Sequence, residues 1–204
     1  MSKISIGLTQ YIDFSLKQQA VSRANYVQRL KQQPEYNPAH DFWKQLRDAL
    51  HDMHSKKQPI TVLDALVKSV SPRKQSLYSE AVTSYKRFLK NKQITWFEPG
   101  KAVWQTDDLL VRTSPELGLV IDGVPHLVKL YFKGHGEKAT KRSIAVTLSM
   151  MSESRYDRDV SSAVPSVLST AQCKLFPSKS PPTNIERIAL GADAQQLVHL
   201  WNLL

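Results

Sequence analysis

One continuous run decides the fold class: Asp107-Asp-Leu-Leu-Val-Arg-Thr-Ser-Pro-Glu-Leu-Gly-Leu-Val-Ile-Asp-Gly-Val-Pro-His-Leu-Val-Lys-Leu-Tyr-Phe-Lys133. It holds three β-rich segments of strand length, at residues 109–112, 117–121 and 126–132. The dipeptide Asp122-Gly123, between the last two segments, is a strong signal for a two-residue hairpin turn. The run therefore predicts antiparallel strands joined by short connections.

Two further β-rich segments precede this run, at residues 94–97 and 102–105, and extend the prediction to a three- or four-stranded antiparallel meander. The last strand alternates in polarity, so that Lys129, Tyr131 and Lys133 share one face and apolar residues share the other. We expect the apolar face to pack on helices and the basic face to stay accessible.

The flanking segments show helical periodicity. Residues 1–93 predict a series of helices, the first from about residue 12 to residue 33 and the clearest beginning at Ser71-Pro72. The apolar side of that clearest helix holds Leu77, Ala81, Tyr85, Phe88 and Leu89. Aromatic residues at this spacing, including Tyr78, are more typical of a core than of base stacking.

The second half continues with a helix from about residue 137, strands at 161–168 and 173–176, and a terminal helix capped by Asp193. The fold class is α+β, with a helical N-terminal part followed by a mainly antiparallel sheet and flanking helices. We expect the two regions, 1–93 and 94–204, to share one core.

Positive charge is concentrated in the helical region. The chain has 28 Lys and Arg against 18 Asp and Glu, a formal net charge of +10. Residues 1–93 carry 16 of these cations and 7 of the acids, whereas residues 94–204 carry 12 and 11. This asymmetry indicates a polyanionic partner, and we expect nucleic acid bound through its phosphate backbone. The residues predicted to contact it are Arg73, Lys74, Lys86, Arg87, Lys90, Lys92, Lys133, Lys138 and Lys141. The alternative is a protein-interaction or regulatory module that binds an acidic partner within a larger complex.

Composition excludes several classes of protein. Hydrophobic residues make up 41% of the chain, enough for a buried core, which excludes collagen-like and disordered chains. No run approaches the ~18 consecutive apolar residues of a membrane span, and the first residues lack the apolar segment of a signal peptide. The single cysteine, Cys173, has no partner for an internal disulfide. We therefore expect a reduced, cytoplasmic protein with no membrane partner, and no motif indicates a small-molecule substrate.

Carboxylates stand at the predicted strand ends and turns, beside lysines on the neighbouring strand, an arrangement that suits Mg²⁺ and a hydrolytic water. The segment Ser114-Pro115-Glu116, its hairpin and the lysine-containing strand resemble the core of the PD-(D/E)XK nuclease superfamily over residues 107–133. The resemblance implies a metal-dependent nuclease, in which Glu116 matches the first acid of the family. The enzyme alternative uses Glu116 and Asp122 as Mg²⁺ ligands, with Lys129 as the catalytic lysine.

The chain departs from that family at the acid-x-lysine triplet, because Leu127 stands two residues before Lys129 and Tyr131 stands two before Lys133. Three interpretations stay open: an active nuclease, a nuclease-like sheet kept as a binding platform, and an ordinary hairpin with a solvated lysine. One more polar set shares a predicted helix face, where an exposed surface or a metal site are the alternatives: Asp48, His51 and His54.

Overall fold

The computed structural model describes residues 3–33, 41–132 and 140–204, which form seven helices and nine strands. The helices are α1 (Leu8–Ser15), α2 (Ala20–Gln32), α3 (Lys44–Ser55), α4 (Val62–Ser69), α5 (Pro72–Leu89), α6 (Lys141–Ser152) and α7 (Asn184–Leu203). The strands are β1 (Ile4–Gly7), β2 (Ile94–Trp96), β3 (Ala102–Gln105), β4 (Leu109–Arg112), β5 (Leu117–Ile121), β6 (Val124–Tyr131), β7 (Arg155–Tyr156), β8 (Val164–Ser169) and β9 (Lys174–Pro177). In these segments no helix has both the length and the hydropathy to cross a bilayer.

The strands form two mixed sheets, in the orders β1-β4-β3-β7 and β2-β5-β6-β8-β9. The α+β class is confirmed, but the antiparallel meander is matched only in part. β5 pairs with β6 and β3 with β4 in antiparallel hairpins, yet the two hairpins belong to different sheets, and β1–β4 and β6–β8 are parallel pairs. The chain leaves the second sheet after β2 at Pro99 and Gly100, where Gly100 has a φ of +73° that permits the turn.

The predicted Asp122-Gly123 turn is confirmed. Both residues have positive φ, 50° and 87°, as a type I′ hairpin turn requires. The Asp122 carboxylate accepts a hydrogen bond of 2.9 Å from the backbone N–H of Gln93, and the Asp122 N–H donates to the Gln93 carbonyl. Asp122 therefore fixes the hairpin to the start of β2.

Helices α3, α4 and α5 cover one face of the second sheet. Their apolar side chains join those of β5 and β6 in a single core cluster. The aromatic residues of α5 lie inside it, since Tyr78, Tyr85 and Phe88 are each at most 4% exposed. Their role in the core is confirmed, and they are not available for stacking on a base.

The opposite face of this sheet is also covered, so the expectation of an accessible basic face is wrong. Leu127 joins a second core cluster that includes residues of α1, α2, α6, α7 and the first sheet, while Tyr131 packs beside Ile144 of α6. Parallel strands need a long crossover connection, and α6 is the crossover between β6 and β8 that folds back onto this face.

Three boundaries differ from the sequence expectation. Ile4–Gly7 forms a strand in the region expected to be helical, because its short apolar alternation pairs with β4. The helix expected over 12–33 is divided into α1 and α2, since Gln19 has extended backbone. α7 begins after Thr183 rather than at Asp193, and its first turns are exposed, so they carry no core-facing stripe that would reveal them.

Candidate functional site

The first candidate site is the end of the β5–β6 hairpin that carries Glu116 and Lys129. One carboxylate oxygen of Glu116 lies 2.5 Å from Lys129 Nζ, and the other accepts a hydrogen bond of 2.8 Å from the backbone N–H of Leu130. Lys129 Nζ also donates to the Ser114 carbonyl at 3.3 Å. The two charged side chains are 16% and 18% exposed, so they form a largely buried ion pair.

The register of the hairpin creates this pair. Leu117 is opposite Val128, and the N–H of Glu116 donates to the Val128 carbonyl at 3.0 Å, which places Glu116 beside Lys129. β5 begins at Leu117, so no paired residue of β5 lies opposite Leu130. The Glu116 carboxylate accepts the hydrogen bond from the Leu130 N–H instead. Glu116 therefore completes the hydrogen bonding at the end of the strand ladder.

These residues do not fit the Mg²⁺ site that the nuclease resemblance implies. Asp122 lies at the other end of β5, about 20 Å from Glu116 at ~3.3 Å per residue. Its carboxylate accepts the hydrogen bond from the Gln93 N–H, and both oxygens of Glu116 are engaged within the hairpin. Across residues 3–33, 41–132 and 140–204, no group of three or more His, Cys, Asp or Glu is arranged to hold a metal ion, and this includes Asp48, His51 and His54.

The second candidate site is the charged outer surface of α3, α4 and α5, where four of the five acids form local ion pairs. Residues 41–93 contain eleven Lys and Arg and five Asp and Glu. Four of the five acids each pair with one cation: Asp41 with Arg47, Asp48 with Lys44, Asp52 with Lys56, and Asp64 with Lys86. The fifth, Glu80, accepts a hydrogen bond from the Ser76 hydroxyl. Seven cations make no ion pair with another described residue: Lys57, Lys68, Arg73, Lys74, Arg87, Lys90 and Lys92.

The predicted contact residues of α5 therefore differ in their availability. Lys86 is held by both carboxylate oxygens of Asp64, at 2.7 and 2.6 Å. Lys92 donates to the carbonyl of Phe88 at 2.6 Å, at the C-terminus of the helix, where a cation is favourable. Arg73, Arg87 and Lys90 are exposed. We define these last three as the basic face of α5. Lys74, also predicted, is half-buried and bonded to Gln45.

The remaining predicted contacts lie elsewhere. Lys141 is exposed in the first turn of α6, on the opposite side of the second sheet from α5. It belongs to a separate surface and cannot contact the same phosphates as α5. Lys133 and Lys138 lie outside the described residues, as does the predicted helix start near residue 137.

A third site, not anticipated from the sequence, is a cavity of about 550 Å³ between the C-terminal ends of α3 and α5 and the strand β2. His54 lines it, and its Nε2 lies 2.6 Å from the Tyr85 hydroxyl. Burial lowers the pKa of His54 to about 4 and raises that of Tyr85, so both groups are neutral at pH 7. The indole of Trp96 also lines the cavity, nearly parallel to the His54 ring at 11°.

No local signal in the sequence reveals this cavity. In the sequence, Lys57 is one of two consecutive lysines and Trp96 lies within the predicted strand 94–97, and neither pattern indicates a cavity. Their proximity depends on β2 lying along the edge of the sheet beside the end of α3, which local periodicity does not indicate.

No protein-family model matches the chain, and a comparison with curated proteins finds no significant relative.

Proposed function

We propose that the protein binds nucleic acid through phosphate contacts made by the outer surface of α3–α5, with the basic face of α5 at its centre. The observation that carries this proposal is the pairing of acids in that layer. Four carboxylates are already neutralised by neighbouring cations, so the surplus of positive charge resides on the cations that remain, including the basic face of α5. Lysine and arginine side chains of this kind supply affinity by releasing counterions from the phosphate backbone.

The geometry favours backbone contact over sequence readout. The basic face of α5 covers most of the length of this 18-residue helix and its C-cap. Arg87 follows Arg73 by 14 residues, and Lys90 follows Arg87 by three. At 1.5 Å per residue, Arg73 and Lys90 are about 25 Å apart along the axis. A line of cations on this scale suits a repeated phosphate charge, and such contacts position a protein without reading bases.

The test is a titration of labelled DNA and RNA at salt concentrations between about 50 and 200 mM, with affinity plotted against salt on logarithmic axes. The variant R73Q/R87Q/K90Q should bind more weakly and lower the slope by about one for each phosphate that its side chains no longer reach. The matched control is K101Q/R155Q/K179Q, which removes three exposed cations outside the helical layer and changes the net charge equally.

Two results would overturn the proposal. If the wild type fails to bind DNA or RNA at about 50 mM salt, the surface is not a nucleic-acid interface. If the two triple variants weaken binding equally, the affinity reflects net charge alone, and the basic face of α5 has no special part in it. Retention of the wild-type slope by the control variant would support the interface.

A further inference from the structure

The cavity between α3, α5 and β2 combines an aromatic wall with cations. Six of its lining residues define its character: Met53, His54, Lys57, Ile60, Lys92 and Trp96. None of the described residues that line it is an aspartate or glutamate. Its volume of about 550 Å³ falls within the ~300–1,000 Å³ that is usual for ligand sites. An anionic molecule with a flat apolar part is the ligand that this lining suits best.

The Trp96 indole is placed where a ligand can reach it. β2 is an edge strand of the second sheet, so one side of Trp96 has no neighbouring strand among the described residues. Its ring is nearly perpendicular to the His51 ring, at 81° and a centroid distance of 5.0 Å, and nearly parallel to the His54 ring at 6.4 Å. The side chain is half-buried and packs against the core, and its exposed part lines the cavity. A partly exposed indole in a cavity wall is a stacking surface for a base.

Lys57 occupies a position where a lysine is unfavourable for folding. It follows the end of α3 with a φ of +52°, and the bonds Lys57 N to His54 O and Gln58 N to Met53 O close the helix there. Glycine is favoured at such a helix end, because side chains with a Cβ are strained at positive φ. The lysine is therefore less stable than glycine at this position. Its side chain is exposed and lines the cavity.

The charge around the cavity stays positive after its local partners are counted. Lys56, Lys57, Lys90 and Lys92 surround the C-terminal ends of α3 and α5. Each helix end contributes about half a negative charge, and Asp52 is paired with Lys56. Four cations therefore outnumber the opposing charges, and the ends of the helices do not exclude a phosphate.

We propose that this cavity takes one unpaired nucleobase of a single-stranded nucleic acid, stacked on Trp96, with the adjoining phosphates held by Lys57 and Lys92. The Lys92 ammonium gives one of its three N–H donors to the Phe88 carbonyl and keeps two for a phosphate. The inference rests on the proposed function and adds its substrate class. A base within a duplex is stacked on both faces and paired along its edge, so it cannot enter a cavity without being extruded. An unpaired base presents a free face, and stacking on an aromatic side chain accepts any of the bases.

The experiment compares labelled single strands of DNA and RNA, about twelve nucleotides long, with a duplex of the same length at fixed salt. The wild type should prefer the single strands, and saturation with them should quench the tryptophan fluorescence. Trp96→Leu should weaken single-strand binding by roughly 5- to 150-fold and leave duplex binding unchanged. Trp201→Leu, which removes an indole of α7 instead, is the matched control. A loss that depends on Trp96 supports the proposal whether the single strand is DNA or RNA, and a preference for RNA would add a contact to the 2′-hydroxyl.

Two further variants keep the test decisive if Trp96→Leu folds poorly. Trp96→Phe retains an aromatic ring in the core and should lose most of the fluorescence quenching while keeping part of the single-strand preference. Lys57→Gly should raise the urea midpoint of unfolding, because glycine relieves the positive φ. In a titration of single-strand binding between about 50 and 200 mM salt, the same variant should lower the salt slope by about one. A gain in stability together with a loss of binding is not expected of a merely structural lysine.

The failure of this inference is distinguishable from the failure of the proposed function. If Trp96→Leu binds single strands and duplex as the wild type does, and single strands do not quench the fluorescence, the cavity is not a base site while the helical surface still binds phosphates. If neither single strands nor duplex bind at about 50 mM salt, the proposed function itself is overturned.

Discussion

Replacing Glu116 with alanine separates a structural ion pair from a catalytic acid. The substitution leaves the Lys129 ammonium, which is 18% exposed, without its carboxylate, and leaves the Leu130 N–H without its acceptor. Breaking a buried pair by removing one partner costs about 3–5 kcal/mol, and an orphaned buried N–H costs about 1–3 kcal/mol. Water reaches both groups in part and the two costs overlap, so we expect a total of about 3–4 kcal/mol.

Urea unfolding followed by circular dichroism measures this cost. With a slope of about 3 kcal/mol per molar urea, the midpoint should fall by about 1 M. The double variant E116Q/K129M removes both charges but keeps an amide oxygen for the Leu130 N–H. It should therefore stay within about 1 kcal/mol of the wild type, since replacing a whole buried pair by uncharged groups is often neutral.

Two outcomes would refute this account of the hairpin end. The first is a midpoint shift below about 0.3 M for Glu116→Ala, and the second is a double variant as unstable as the single one. The folded double variant also tests the nuclease alternative, by incubation with plasmid DNA and Mg²⁺ or Mn²⁺. Cleavage by the wild type that disappears in E116Q/K129M would restore a catalytic role for the pair.

Three further predictions concern the fold. Gly118→Ala should destabilise the protein by at least about 3 kcal/mol, because a Cβ there would meet the backbone oxygen of Phe97 at 2.2 Å. Gly191→Ala should stabilise it by about 0.5–1 kcal/mol, because Gly191 lies within α7 and a Cβ there meets no other atom within 4 Å. Thermal unfolding of the two variants checks both signs. The pKa of His54 is lowered from 6.5 to about 4 in the folded state, so its contribution to stability is complete above pH 6.5 and is lost as the pH falls toward 4. Between pH 6.5 and pH 4, the unfolding midpoint of His54→Gln should therefore vary less than that of the wild type. Thr183→Ala removes the hydroxyl that caps α7 and should cost about 1 kcal/mol, and an unchanged midpoint would show that this helix end is not held by its cap.

Elements with local signals were predictable from the sequence, whereas the assembly of the sheets was not. Asp122-Gly123 requires positive φ at both residues, and Pro72 suits a first helical position, so the hairpin and α5 follow from a few residues. The parallel pairing of β1 with β4 joins residues more than a hundred positions apart, which no local pattern encodes. The covering of the second face of β6 was unpredictable for the same reason, because it depends on α6 packing against that face.

The candidate nuclease site shows why residue type and spacing were insufficient there. A carboxylate near a lysine is expected both of a metal-dependent active site and of an ion pair that closes a strand ladder. The sequence places Glu116, Asp122 and Lys129 in one segment, but an antiparallel strand separates its two ends by its full length. The register of the paired strands therefore places Glu116 beside Lys129 and Asp122 at the opposite end of the hairpin. The residue types and spacing alone do not determine which of the two acids contacts the lysine.

The pairing of charges distinguishes cations that the net charge treats alike. A count of the sequence treats Lys56 and Lys57 as equivalent, but Lys56 lies one helical turn after Asp52 and is paired with it, whereas Lys57 stands past the end of α3 with a strained backbone and no ion pair among the described residues. Selection for solubility alone is satisfied by any exposed cation and gives no reason to place one where glycine is more stable. A ligand that needs a cation at that point does give such a reason, and the cavity beside Lys57 is where the ligand would lie.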